Sequence, residues 1–418
     1  MAQTVAGARL DPSRLSNPEK KDSIADAVGR IVREHGRASR AQVARILGLS
    51  PSTVGRVADR LVEQGILLEA GSSQVGRTGR PSFLLEFNPR VGSVLAVDLR
   101  LTEAYAVRAD LSGMVLAKGG RALPLHQGTA NVAALLDLLH GLLPEGSQGP
   151  PLHAIVLGAP SIVDSSTGEV EWAPSLGWKN LPLGKVISDE FHVPVRVEND
   201  VNLAALGEFW KGIARGTRNM VFVSVGTGIG AGIVIEGKLY HGASHAAGEV
   251  SYFVSDINTL RDNAGQIGTL EMRVGREGII RLSHLLAQRY PASRLADLIR
   301  QVEGDLRAQD VFSLALEGDP AAQVVFREAV DLLSVVICNL SVVLDPEVIV
   351  LGGPSDWKWS ALVDAIRARI GSALLRPVNL RPTALGRDAV VLGAVYLALE
   401  ANQVIPKRRH HGGLSGPS

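Results

Sequence analysis

Ser39-Arg40-Ala41-Gln42-Val43-Ala44-Arg45-Ile46-Leu47-Gly48-Leu49-Ser50-Pro51-Ser52-Thr53-Val54 contains two helix starts with one helix stop between them. A serine hydroxyl ahead of a helix accepts a hydrogen bond from one of the first unpaired backbone N–H groups. Glycine ends helices because it enters the left-handed conformation without strain. Ser39 therefore predicts a helix over residues 40–47, closed by Gly48. Ser50, with Pro51 at the first helical position, predicts another over residues 51–64, closed by Gly65.

On the N-terminal side, Ile24, Ala27, Val28 and Ile31 fall on one face of a helix spanning residues 23–34, which Gly36 stops. On the C-terminal side, residues 66–69 read as a strand, 71–79 as a polar Gly-rich turn and 82–87 as the returning strand. Three helices followed by a hairpin make a winged helix-turn-helix, assigned to residues 21–88 behind a mobile arm over residues 1–20. In such a unit the N-terminal end of the second helix of the pair meets base edges in the major groove. Here that end offers Ser50, Ser52, Thr53 and Arg56, whose hydroxyls and guanidinium suit phosphates and guanine edges. Val54, Val57 and Leu61 form the opposite, inward face. In the turn, Arg77 and Arg80 flank Thr78-Gly79 and precede Pro81, a flat segment that can carry an arginine into a narrow minor groove. The bland alternatives are a protein-contact module and a solvated wing.

Charge agrees with this division. Formal net charge is only +1 over 418 residues, yet residues 1–90 hold 14 Lys and Arg against 9 Asp and Glu. A basic front on a mildly acidic body fits contact with double-stranded DNA by the front alone. The single cysteine, Cys338, rules out an intrachain disulfide and suits a reducing cytoplasm. Residues 1–21 lack the apolar core of a secretory signal, and the longest apolar stretches, 221–235 and 332–344, are too short for a bilayer. The expectation is a cytoplasmic protein with no membrane partner.

From Val91 the pattern becomes α/β. Strands are predicted at 94–99, 104–109, 152–157, 194–197 and 348–351, with a Gly-turned hairpin over 220–225 and 230–235. Residues 276–340 read as mostly helical and 390–401 as a last helix. The basic, Gly-rich tail 402–418 reads as disordered. No repeat of 20–50 residues is visible, although two similar lobes could be hidden.

Several short motifs follow in order: Gly79-Arg80-Pro81, Gly158-Ala159-Pro160, Glu198-Asn199-Asp200-Val201-Asn202, Gly226-Thr227-Gly228-Ile229-Gly230-Ala231-Gly232, Ala247-Gly248-Glu249 and Gly268-Thr269-Leu270-Glu271. Together with the winged helix they resemble the ROK family (repressors, open reading frames and kinases), and its repressor branch in particular, from about residue 23 to residue 400. The resemblance implies a two-lobed actin-like, ribonuclease H-like body over residues 89–401 that serves as effector and dimerisation domain. It further implies that Asn199 and Asp200 bond sugar hydroxyls, and that Glu249 and Glu271 face the same sugar. Gly158 is expected to let the sugar approach the backbone, or only to serve a turn. Asn199 or Asp200 could equally do no more than cap the following helix.

Three departures from the family pattern qualify this. The first phosphate loop, Asp-x-Gly-Gly-Thr in the family, reads Asp98-Leu99-Arg100-Leu101-Thr102, so both glycines that admit ATP phosphates are gone. The family's sugar- and zinc-binding histidine after Gly-Glu is replaced by Tyr252, expected at the wall of the pocket. The zinc-loop cysteines are replaced by Asp262, Ala264 and Thr269. A phenol, one carboxylate, a methyl and a hydroxyl do not make a zinc site. His241 and His245 nearby read as polar loop residues. The expectation is therefore a sugar-responsive DNA-binding regulator, a homodimer or larger, with no cofactor, no metal and no catalysis. A sugar kinase with a DNA-binding appendage and a ligand-independent regulator stay open.

Overall fold

Ser39 and Ser50 act as the sequence requires. In the computed structural model, which describes residues 18–401 apart from 74–81, 145, 147–148, 174–175, 255–267, 303–305, 354–356 and 372, each serine caps a helix. The Ser39 hydroxyl accepts from Gln42 N while the Gln42 side chain accepts from Ser39 N, a reciprocal box. Helices α1 (Pro18–His35), α2 (Arg40–Leu47) and α3 (Pro51–Glu63) stand beside a three-stranded sheet of β1 (Arg37–Ser39), β2 (Leu67–Ser73) and β3 (Ser82–Phe87). Val54 and Leu61 are buried and Val57 packs against the same core. Of the expected arm, Pro18–Lys20 already belong to α1; residues 1–17, the tail 402–418 and the tip of the wing with Arg77 and Arg80 lie outside the described residues.

The junction between winged helix and body is pinned on each side, and the two share one core. Asn88 donates from Nδ2 to Gly65 O at 2.8 Å, and Leu111 N donates to Pro89 O at 3.0 Å. The buried cluster that holds Val28, Val43 and Leu67 also contains Val94, Ala96 and Val107 of the body.

The body holds two five-stranded sheets with one topology. The first has β4 (Ser93–Leu99), β5 (Glu103–Asp110), β6 (Val115–Ala122), β7 (Leu152–Ala159) and β11 (Val195–Asn199) in the order 11-7-4-5-6. Helix α4 (Gly128–Gly141), the small sheet β8 (Ile162–Asp164), β9 (Glu169–Ala173) and β10 (Trp178–Leu181), and α5 (Leu183–Phe191) lie between its strands in sequence. After α6 (Asp200–Trp210), the second sheet has β12 (Met220–Val225), β13 (Ile229–Ile235), β14 (Lys238–Leu239), β15 (Val348–Gly352) and β16 (Leu380–Pro382) in the order 14-13-12-15-16. In each sheet a three-stranded antiparallel meander continues into two parallel strands. The second lobe carries the helices α7 (Glu271–Val274), α8 (Arg276–Arg289), α9 (Arg294–Gln301), α10 (Ala308–Leu316), α11 (Pro320–Leu344) and α12 (Trp359–Ile370). The hidden duplication is therefore real, and the α/β body is two-lobed as expected.

Two helices join the lobes. Helix α6 leaves the first sheet for the second, and α13 (Ala389–Ala401) returns to pack on α6, β4 and β7. They approach so closely that a Cβ on Gly393 would sit 1.8 Å from Leu203 O, and one on Gly207 would sit 2.1 Å from Ala389 O. Beside them the fully buried Glu208 accepts from Ile213 N on one crossing (2.9 Å) and from Ala384 N and Leu385 N on the other (3.0 Å each). One carboxylate thus ties both connections, and four-fold hydrogen bonding, completed by Thr383 Oγ1, offsets its burial.

Candidate functional site

Two sites follow from this architecture. At the start of α3 the Ser50 hydroxyl accepts from Thr53 N (3.2 Å) and lies 3.0 Å from Ser52 Oγ and 2.8 Å from Thr53 Oγ1. Arg56 is exposed one turn on. The helix end thus presents three hydroxyls and a guanidinium. Arg40, by contrast, is occupied by Asp59 (2.6 Å) and Glu69 (2.8 Å), bracing α2 to α3 and β2.

The second site is the cleft between the lobes, lined by Ser161, Asn199, Asn202 and Val201 on one side and by Gly230, His245, Gly248 and Glu249 on the other. Asn199 caps α6: its Oδ1 accepts from Val201 N (2.9 Å) and Asn202 N (3.1 Å), and its Nδ2 donates to Ser161 O (3.2 Å). The capping role therefore holds while the residue also lines the cleft. Asp200 follows directly, and burial, the nearby Asp98 carboxylate and Glu249 push its pKa up to about 7. Burial and Glu271 also raise Glu249, and burial raises Glu271, whose Oε2 accepts from Ile229 N at 3.3 Å. Three carboxylates thus share one electrostatic neighbourhood, Glu249 in the cleft lining and Asp200 and Glu271 near it, an arrangement that favours protonation or a hydrogen-bond-donating ligand.

Of the expected effector residues, Asn199 and Glu249 line the cleft, whereas Gly158, Asp200, Tyr252 and Glu271 are not among its lining residues. The direction a side chain would take from Gly158 is filled by Val390 and Leu203, which fits a packing role between β7 and the joining helices. Tyr252 ends a 3₁₀ turn, 42 % exposed, and is not among the residues that line the cleft. Three residues that do count were not anticipated. Glu198, 2 % exposed, accepts from Asn202 Nδ2 (3.0 Å) and pairs with Arg196 (3.1 Å) and His241 (2.9 Å). Burial opposes its ionisation, but the bonds from His241 and Asn202 outweigh it and hold the carboxyl below its ordinary range. Ser161 and His245 form the remaining polar wall.

The turn after β4 has closed on itself. Arg100 Nε donates to Asp98 at 2.6 Å, its Nη1 to Glu103 at 2.7 Å and its Nη2 to Arg387 O at 3.2 Å, with its guanidinium 5.4 Å from the Tyr105 ring centre. Arg387 also reaches Glu103, at 3.1 Å. Residues 94–401 match the ROK family, and residues 30–67 match a winged helix-turn-helix DNA-binding domain.

The chain belongs to the ROK family. The xylose repressor of Caldicellulosiruptor bescii is 26 % identical over 367 residues, covering 86 % of this chain and 91 % of that protein. A glucokinase of Halalkalibacterium halodurans is 34 % identical over 284 residues, covering 67 % of this chain and 85 % of the enzyme. The fold matches that of a ROK family transcriptional regulator homologous to Mlc of E. coli, with a TM-score of 0.75 and 23 % identity over 92 % of this chain and 97 % of the other. The ROK body and the winged helix thus occur here in one chain. Among the described residues no helix is long and apolar enough to cross a membrane. Zinc, which the family resemblance implies, does not fit the donors present: Thr269 is a buried hydroxyl, Tyr252 an exposed phenol, and Asp262 and Ala264 lie outside the described residues.

Proposed function

We propose that this ROK protein is a DNA-binding transcriptional repressor whose inter-lobe cleft binds a neutral or amino sugar as effector, and that it does not phosphorylate that sugar. The observation that carries the reading is a cleft lined by Asn199 and Glu249, with the Asp200 carboxylate in electrostatic reach of Glu249, on a first lobe that shares one buried core with the winged helix. Acceptor-rich walls suit hydroxyl and ammonium donors. A sugar that binds the two lobe arrangements with affinities differing by about 1–3 kcal/mol is enough to couple the cleft to DNA. Two winged helices in a dimer would read half-sites about 34 Å apart or a multiple of that spacing.

The test is a gel shift with the DNA upstream of the protein's own gene, with and without D-xylose or D-glucose. Operator binding should be released by one of them, and Asp200→Ala should bind operator as the wild type does but no longer respond. Arg56→Ala should weaken operator binding by about 1–3 kcal/mol and relax base preference at one position. An Arg56→Ala protein that discriminates operator from random DNA as well as wild type would remove the DNA-reading assignment.

A second reading, a sugar kinase, is favoured by the likeness to a glucokinase and by an Asp200 whose pKa near 7 suits a general base. The Arg100 network weighs against it, because the guanidinium occupies the turn that in kinases meets phosphate. A coupled assay with ATP and either sugar should show no turnover that depends on Asp200.

A further inference from the structure

The polar wall of the cleft has an imbalance. A sugar hydroxyl both donates and accepts, and a ring oxygen only accepts, so a complete site needs donors as well as carboxylates. Glu249 supplies acceptors, with the Asp200 carboxylate nearby. The Nδ2 of Asn199 spends one of its two N–H groups on Ser161 O, and that of Asn202 spends one on Glu198. Of the lining side chains, the remaining nitrogen group is the imidazole of His245.

Its geometry is specific. His245 lies on the second-lobe segment after β14, in the left-handed conformation with φ of 56°, which a non-glycine residue adopts at a cost. Its Nδ1 lies 3.1 Å from Ser165 Oγ, on the β8–β9 turn of the first lobe. That turn is ordered by Asp164, which accepts from Ser166 N (2.9 Å) and Ser166 Oγ (2.6 Å). The His245 ring also lies 5.5 Å from that of His241, which bonds Glu198 across the same cleft. Two histidines of one lobe therefore each reach a partner on the other.

We propose that His245 is the hydrogen-bond donor through which the cleft recognises its sugar, and that its bond to Ser165 links that contact to the first lobe. With the Ser165 hydroxyl donating to Nδ1, the neutral ring carries its proton on Nε2, the nitrogen left for the ligand. The same ring then touches ligand and holds the lobes together, so an occupied cleft favours the closed arrangement. This rests on the reading of the cleft as a sugar site.

The experiment is calorimetry on the full chain with D-xylose, D-glucose and their monodeoxy analogues. For the sugar that binds, His245→Ala should lower affinity at least tenfold and Ser165→Ala about threefold, with the thermal midpoint of each close to wild type because both positions are at the surface. One monodeoxy analogue should bind wild type about as weakly as the parent sugar binds His245→Ala. That analogue should lose nothing more when His245 is removed, which a merely structural role would not produce. If wild type binds a sugar, Asp200→Asn loses it and His245→Ala keeps it, this inference is wrong while the proposed function stands. If folded wild type binds none of the sugars, both are overturned.

Discussion

Asp98 and Asp200 stand at the same end of one sheet, on the first residues past or near the tips of β4 and β11, with only β7 between those strands. Their surroundings are opposite. Asp98, 4 % exposed, is held by Arg100, and although burial still pushes its carboxyl up, a cation lies 2.6 Å away. Asp200 has the carboxylates of Asp98 and Glu249 as its charged neighbours, and its pKa rises to about 7. The first site is satisfied from within the chain and has no need of a ligand. The second has carboxylates as its charged neighbours and no cation to answer them. Polar groups that the fold leaves incompletely paired invite a partner, and groups paired from within the chain do not.

Removing the internal cation is the sharpest way to break this contrast. Arg100→Ala leaves a nearly buried Asp98 without its 2.6 Å partner, Glu103 with Arg387 alone and the Arg387 carbonyl without this donor, and the expected loss is about 2–4 kcal/mol of unfolding free energy. Urea denaturation at pH 8, where Asp98 is most costly as an anion, checks it. A loss under about 0.5 kcal/mol would make the network an ordinary surface cluster.

Asp200→Asn probes the other side, and its effect has a sign. The folded pKa lies above the unfolded value near 4, so Asp200 contributes its full share to stability at low pH. That share is lost as pH rises from about 4 through about 7, because the unfolded chain releases its proton first. Wild type and Asp200→Asn should therefore match below pH 4, and the asparagine protein should be the more stable above pH 7. Linkage sets a ceiling of about 4 kcal/mol, which solvent at the open cleft reduces to about 1–2 kcal/mol. Thermal unfolding of both proteins from pH 4 to 8 measures the gap. Curves that stay parallel would mean that Asp200 is not strained by its neighbours, and the contrast with Asp98 would fail.

These differences were unequally legible in the chain. Ser39, Ser50, Gly48 and Pro51 specify their helices within a few residues, so α2 and α3 follow from sequence almost to the residue. The strand β6 was missed because Val115–Ala122 reads Val-Leu-Ala-Lys-Gly-Gly-Arg-Ala, with no alternation and two glycines. The short strands β8 to β10, β14 and β16 owe their pairing to neighbours rather than to local pattern. Arg100 and Leu101 in the turn after β4 were visible in the sequence, but the closing of the turn was not, since the Arg387 carbonyl is 287 residues away. His245 read as a polar loop residue for the same reason: its partner Ser165 lies 80 residues earlier, and only the duplicated lobes bring the two together. Of the residues to which the family's motifs pointed, Asn199 and Glu249 line the cleft, whereas Gly158, Asp200, Tyr252 and Glu271 are not among its lining residues.

The smallest expected effect concerns how far the closed turn depends on the second crossing between lobes. Arg387 sits just before α13, and its side chain, 58 % exposed, pairs with Glu103 at 3.1 Å. Its backbone oxygen, not its side chain, receives Arg100. Arg387→Ala keeps that carbonyl and removes a solvent-screened ion pair with Glu103 and a minor attraction for Asp98, so the expected loss is about 0.5 kcal/mol or less, shrinking further in 0.5 M salt. The double variant Arg100→Ala with Arg387→Ala should then lose little more than Arg100→Ala alone, because Glu103 has already lost its shorter contact, of 2.7 Å, in the single variant. Denaturation of the four proteins completes the cycle. If Arg387→Ala costs as much as Arg100→Ala, the turn is held by the crossing rather than by Arg100, and Asp98 would be closed off by the arrangement of the lobes instead of by one substituted side chain.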